Sequence, residues 1–245
     1  MAGAVIARAF LLPACGALAL AGCASGPPRQ PMSDSARELL RASPSAVIAA
    51  ELAFARMARE QGTWTAFRHY AASDALWPSP GWVNVHQSLD GVADPAQPIV
   101  WGPDAVWMSC DGSFAASTGE ATLSDGRPSR FLTIWQRQGN GEYRWVLDQG
   151  FDSEGGDIAP DMIAGKTAEC LRPEEPGDRR PRDFGVRRGE NWSSTASNDA
   201  TLRWESTLRA DCSREVSVSI AGRDGMEEVF RRLAPPPREG AACEA

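Results

Sequence analysis

Arg130-Phe131-Leu132-Thr133-Ile134-Trp135-Gln136-Arg137-Gln138, then Gly139-Asn140-Gly141, then Glu142-Tyr143-Arg144-Trp145-Val146-Leu147-Asp148 reads as two strands joined by a tight turn. Aromatic and β-branched residues fill both runs. The Gly-Asn-Gly between them supplies residues that take positive φ without steric cost, which hairpin loops need and a phosphate cradle does not explain. The same grammar repeats upstream, where Ser113 to Leu123 stops at Asp125-Gly126 and Ala105 to Cys110 stops at Asp111-Gly112. Four successive strands separated by short turns pair with their neighbours and form an antiparallel sheet.

Further toward the N-terminus the period changes from strand to helix. Ser43-Pro44 offers an N-cap followed by proline at the first helical position. From Ala46 to Gln61 the residues Val47, Ile48, Leu52, Phe54, Ala55 and Ala58 recur at helical spacing, and Gly62 ends the run. A second, short helix capped by Thr63 runs through Trp64, Phe67 and Tyr70. Leu76 to Val83 is extended, because each residue before Pro78 and Pro80 is pushed away from the α region. A brief turn or helix around Val85 to Gly91 then leads into Pro98 to Trp101. Helices followed by consecutive antiparallel strands predict an α+β fold, a curved sheet packed on N-terminal helices, and exclude a βαβ nucleotide fold.

Beyond Gly150, residues 151–200 read as a polar connecting segment, rich in Pro, Arg and Asp from Pro173 onward. Residues 201–234 carry a small β extension, with strands at Thr201 to Ala210 and Glu215 to Ala221. Arg223-Asp224-Gly225 then turns the chain into a strand or short helix at Met226 to Leu233. This unit is too small to hold a core alone and must extend the main sheet or dock on it, and 235–245 is a tail.

At the other end, Leu20-Ala21-Gly22-Cys23 closes an apolar run, Ala9 to Leu20, too short to span a bilayer. It resembles the lipobox of a bacterial lipoprotein. The resemblance implies a signal peptide over 1–22, lipidation of Cys23 and a tether over 23–42, rich in Pro, Ser, Gly and Arg. It also implies attachment to the membrane through that lipid. Ala24, where enterobacterial inner-membrane lipoproteins carry aspartate, implies the outer membrane with the domain facing the periplasm.

A net charge of -7 argues against nucleic acid, since neutralising phosphates takes a clustered cationic surface. The arginines between Arg179 and Arg188 are interleaved with acids and read as a solvated loop. Of six cysteines, Cys15 leaves with the signal and Cys23 takes lipid, so Cys110, Cys170, Cys212 and Cys243 are free to pair in an oxidising envelope. Three connectivities are open. Cys170 and Cys212 flank a polar insert and are the best-placed pair to staple the last segment to the main domain. None of the cysteines shows the close paired spacing of a zinc site, and neither a metal nor another cofactor is expected.

Phe54-Ala55-Arg56, the run from Ala66 to Ala75, the Cys110 to Ala115 turn, Phe131 to Arg137 and Trp145 to Asp148 together resemble nuclear-transport-factor-2-like domains. Within that superfamily they are most similar to the SnoaL-like and DUF4440 group, over about Ser43 to Gly150. The resemblance implies a cone-shaped half-barrel with a pocket between helices and sheet, used variously for binding, dimerisation or catalysis. Ketosteroid isomerase-like members place a general-base aspartate where this chain has Ser79, before Pro80. Their oxyanion-donor tyrosine would fall at or next to Ala55. A serine with no adjacent base cannot take a carbon-bound proton at neutral pH, so the isomerase mechanism is not expected here.

Other residues could still carry chemistry. His69, at the end of a short helix, reads as a polar interface residue. His86 lies near Trp82 at the expected pocket mouth, and Asp148 closes an apolar strand where burial would raise its pKa, so these two are the catalytic candidates. Asp111-Gly112-Ser113 lacks the glycine spacing of a nucleophile elbow. Nine tryptophans against two tyrosines suggest a pocket for an apolar or cyclic ligand. Trp77, Ser79, Trp82, His86, Trp101, Trp107 and Trp135 are the candidate lining residues. The reading favoured is a non-catalytic module that binds a small apolar molecule, a second copy of itself or an envelope protein. The alternative is an envelope enzyme of isomerase, dehydratase or hydrolase type acting on a small apolar or cell-wall-derived substrate.

Overall fold

Pro44 starts helix α1 (Pro44–Gln61), and Thr63–Tyr70 forms α2 directly after Gly62. Strand β1 (Ala71–Pro78), strand β2 (Trp82–Asn84) and the short helix α3 (Val85–Ser88) follow. Then come β3 (Val100–Met108), β4 (Phe114–Thr122), β5 (Pro128–Arg137) and β6 (Tyr143–Asp152), the four strands expected from the turn pattern. The computed structural model describes residues 42–78, 82–170, 187–188 and 192–236, all within one compact unit. Cys23 and Ser79 lie outside the described residues. None of the described helices is long and apolar enough to cross a membrane.

Every fourth or third residue of α1 is buried: Val47, Glu51, Phe54, Ala55 and Ala58 form one stripe against the sheet. Its N-terminus departs from expectation in detail, because Ser43 occupies the cap position without a side-chain hydrogen bond. Nor does Thr63 cap α2. Its hydroxyl accepts from Ile99 N at 3.0 Å, and the carboxylate of Asp94 reaches in to accept from Thr65 N at 3.0 Å and Thr65 Oγ1 at 2.6 Å. Gly62, at φ 114, leaves room for this; a Cβ there would lie 2.3 Å from the Asp94 carboxyl.

The main sheet has seven strands in the order β2-β1-β6-β5-β4-β3-β7, where β7 is Ala164–Thr167. Strands β3 to β6 form an antiparallel meander, while β1 runs parallel beside β6 and β7 parallel beside β3. The sheet is therefore mixed, and the class is α+β. Strand β3 bulges between Pro103 and Ala105, and Gly119 permits it, since a Cβ there would meet the Gly102 carbonyl oxygen at 2.0 Å.

The C-terminal part forms its own sheet, in the order β12-β11-β10-β9-β8. Its strands are β8 (Arg187–Arg188), β9 (Trp192–Ala196), β10 (Leu202–Leu208), β11 (Arg214–Gly222) and β12 (Gly225–Ala234). Residues 151–200, expected to be a connection, thus contain the end of β6 and all of β7, β8 and β9. The four residues of β7 are largely exposed and carry no apolar pattern to read. In β10, Leu202, Trp204, Ser206 and Leu208 are buried and the residues between them exposed, the period of a half-buried strand. This sheet docks on the first. Phe230 packs on Trp107 and Phe151, with ring centroids 6.2 and 6.0 Å away, Thr201 Oγ1 accepts from Cys110 N at 2.8 Å, and Ala221 O accepts from Glu169 N at 2.9 Å.

The disulfide pairing corrects the sequence expectation of Cys170 with Cys212. Cys170 is bonded to Cys110, with Cα atoms 5.1 Å apart. Cys110 lies not inside a strand but in the turn after β3, and the chain leaving β7 runs alongside that turn, so Cys170 arrives next to it. Cys212 is itself disulfide-bonded, and not to Cys170.

Candidate functional site

Helices α1 and α2 cover one face of the main sheet, and aromatic side chains from both layers do not fill the space completely. A cavity of about 170 Å³ remains. Phe54 comes from α1, Trp64 and Phe67 from α2, Trp77 from β1, Trp101 from β3 and Phe131 from β5. The rings meet edge to face: Phe54 lies 4.8 Å from Trp101 and 4.9 Å from Phe67, and Trp64 lies 5.7 Å from Trp77. This geometry suits the ring quadrupoles and leaves an apolar wall.

Among the described residues, one ionisable group lines this wall. On β6, Asp148 and Gly150 share the face that looks onto the cavity. Thr133, its cross-strand partner on β5, donates a 2.7 Å hydrogen bond from Oγ1 to the Asp148 carboxylate. Burial pushes the Asp148 pKa up to about 7, opposed by the Thr133 hydrogen bond and reinforced by the negative charge of Glu51. At neutral pH such a carboxyl is poised to accept or to donate a proton.

Glu51 is fully buried on the core stripe of α1. Its carboxylate accepts from Trp101 Nε1 at 2.8 Å, Ser117 Oγ at 2.5 Å and Trp135 Nε1 at 3.1 Å. Burial raises its pKa and the three hydrogen bonds oppose the rise. Glu51 does not line the cavity; it fixes the indole of Trp101, which does. Sequence reading passed over it, although a charged residue midway between Val47 and Ala55 on an apolar stripe was the available signal.

A second cavity of about 350 Å³ shares Trp64, Trp77, Asp148 and Gly150 with the first. Its other walls are Pro78, Ser88, Leu89, Val92, Gln149 and Arg214, so it is more polar. Asp148 thus stands where an apolar inner chamber meets a mixed outer one.

Of the residues expected at the pocket, Trp77, Trp101 and Asp148 are brought together there. Four others are not. Trp135 is fully buried, with its indole N–H given to Glu51 and Ser117, and is core. Trp107 turns to the opposite face and packs on Phe230 of the second sheet. Trp82 belongs to the edge strand β2 and lines neither cavity. His86 lies on α3, where Asn84 caps its backbone N–H and its Nε2 sits 3.1 Å from Ala72 O; it too lines neither cavity. The wall residues Phe54, Trp64, Phe67 and Phe131 were missed, because helical and strand periodicity mark them as apolar and inward without separating core from cavity. Among the described residues, no group of three or more His, Cys, Asp or Glu side chains is placed to hold a metal ion.

Compared with known protein families, the chain matches no family model, and it matches none of the curated proteins.

Proposed function

We propose that this protein is a lipid-anchored envelope module whose nuclear-transport-factor-2-like cone binds a small apolar molecule. The observation that carries this reading is the aromatic cavity beside Asp148. Its volume of about 170 Å³ is comparable to engineered apolar cavities that stay dry and take up benzene. The cone reading draws support from strand order, with β1 parallel beside β6 and two helices over the same face. The Leu20 to Cys23 motif supports the anchor and an outer-membrane, periplasm-facing location.

Asp148 favours a second reading, an enzyme that moves a proton at a bound ring. Against it, Asp148 is the only ionisable side chain of the inner wall among the described residues, and the Ser129 hydroxyl there is committed to Phe151 O at 2.9 Å.

Native mass spectrometry of the full chain, extracted from membranes, should find a retained small molecule. Turnover of a candidate substrate that is lost in Asp148→Asn with folding intact would replace the binding reading with the enzymatic one. Cys23→Ala should give an unprocessed precursor or a lipid-free product; normal maturation and membrane fractionation would contradict the anchor.

A further inference from the structure

The outer cavity holds polar groups that the fold leaves unused. Arg214, at the start of β11, extends from the second sheet to the mouth of the pocket, where its guanidinium lies 3.5 Å from Gly150 O. It makes no ion pair among the described residues, and unlike Arg59 and Arg223, which are exposed to solvent, it is half-buried. The Nε–H of Arg214 and the indole N–H of Trp77 are both buried without an acceptor. The Gln149 side chain between Asp148 and Gly150 points to the other face of β6, where its amide nitrogen donates to Ser206 Oγ at 2.8 Å.

Unmet donors with an unpaired cation call for an oxyanion, and the neighbouring chamber calls for a ring. We propose that the pocket takes a small cyclic carboxylic acid, its ring in the aromatic inner chamber and its carboxylate in the outer one against Arg214 and the Trp77 indole. This rests on the binding reading above and names its ligand class. A monoanion fits better than a phosphate dianion: among the described residues one cation faces the site, and Asp148 shares the wall, so a second negative charge would have no counterpart there.

Phenylacetate and its neutral isostere phenylacetamide separate the two levels of the claim. Titrated into the full chain at pH 7 and followed by tryptophan fluorescence, phenylacetate should bind about tenfold more tightly or better, the ratio that roughly 1.4 kcal/mol gives. Arg214→Gln should reduce this preference, read as the ratio of the two affinities in the same variant, to less than about twofold. Equal affinities in the wild type would overturn the carboxylate inference and leave the apolar pocket standing, and this comparison does not depend on any variant folding. A preference that survives intact in Arg214→Gln would also overturn it. If neither compound binds, the pocket reading itself fails.

Discussion

The Asp148 and Glu51 carboxyls lie under the same two helices, and burial raises the pKa of each. A carboxyl whose folded pKa exceeds its unfolded value contributes stability that is complete below the unfolded pKa and is lost as pH rises through the folded one. For Asp148 that window runs from 3.8 to about 7. Asp94 and Asp211, whose pKa values are lowered by hydrogen bonds from Thr65 and Ser213, act in the opposite sense only at more acidic pH. Thermal unfolding should therefore show a midpoint that rises as pH falls from about 8 to about 5. Asp148→Asn should remove its part of that slope, leaving the part due to Glu51, and raise stability at pH 8 by up to roughly 3 to 4 kcal/mol, less whatever solvent in the cavity already offsets. Glu51 behaves differently, because its acceptors are in use. Glu51→Leu would orphan the Trp101 indole N–H and should destabilise by roughly 2 to 4 kcal/mol in urea unfolding. Glu51→Gln keeps one acceptor and relieves the buried charge, and should stay within about 1 kcal/mol of wild type.

Among the elements, legibility followed period and punctuation. Strands β3 to β6 and helix α1 were readable because apolar residues recur along them and Gly112, Gly126 and Gly141, all at positive φ, mark the hairpins. What was not readable depended on partners distant in sequence. Thr63 looked like a cap for α2, yet Asp94, across a long loop, does that work. Cys110 looked like a strand residue, yet the parallel pairing of β7 with β3 brings Cys170 to it. That bond closes a separation of 60 residues, for which the chain-entropy model gives about 4 kcal/mol. Peptide mapping without reduction should recover Cys110 and Cys170 in one linked fragment, and Cys110→Ser should lower stability by a similar amount. Free thiols at both positions would contradict this pairing.

At the scale of the whole molecule, sequence pattern predicted an α+β chain with a sheet under N-terminal helices, and the C-terminal strands were foreseen only as a unit that must extend the main sheet or dock on it; they form a separate sheet. The candidate site was partly legible. Asp148, Trp77 and Trp101 sit at the cavity. Trp107 and Trp135 do not, because alternation assigns side chains to a face but does not tell which face meets helices and which meets a second sheet. The outer chamber could not be read at all from sequence, since it joins β1 and β6 to Arg214 of the second sheet. The central claim is that the space under α1 and α2 is a binding chamber rather than a packing defect. Ala121 is a small residue on its wall, and Ala121→Leu would occupy the chamber while leaving Asp148 and Arg214 in place. Toluene titrated into the wild type should quench tryptophan fluorescence saturably, and the folded Ala121→Leu protein should show at least a tenfold weaker response. Quenching that never saturates, or that is unchanged when the chamber is filled, would contradict the account.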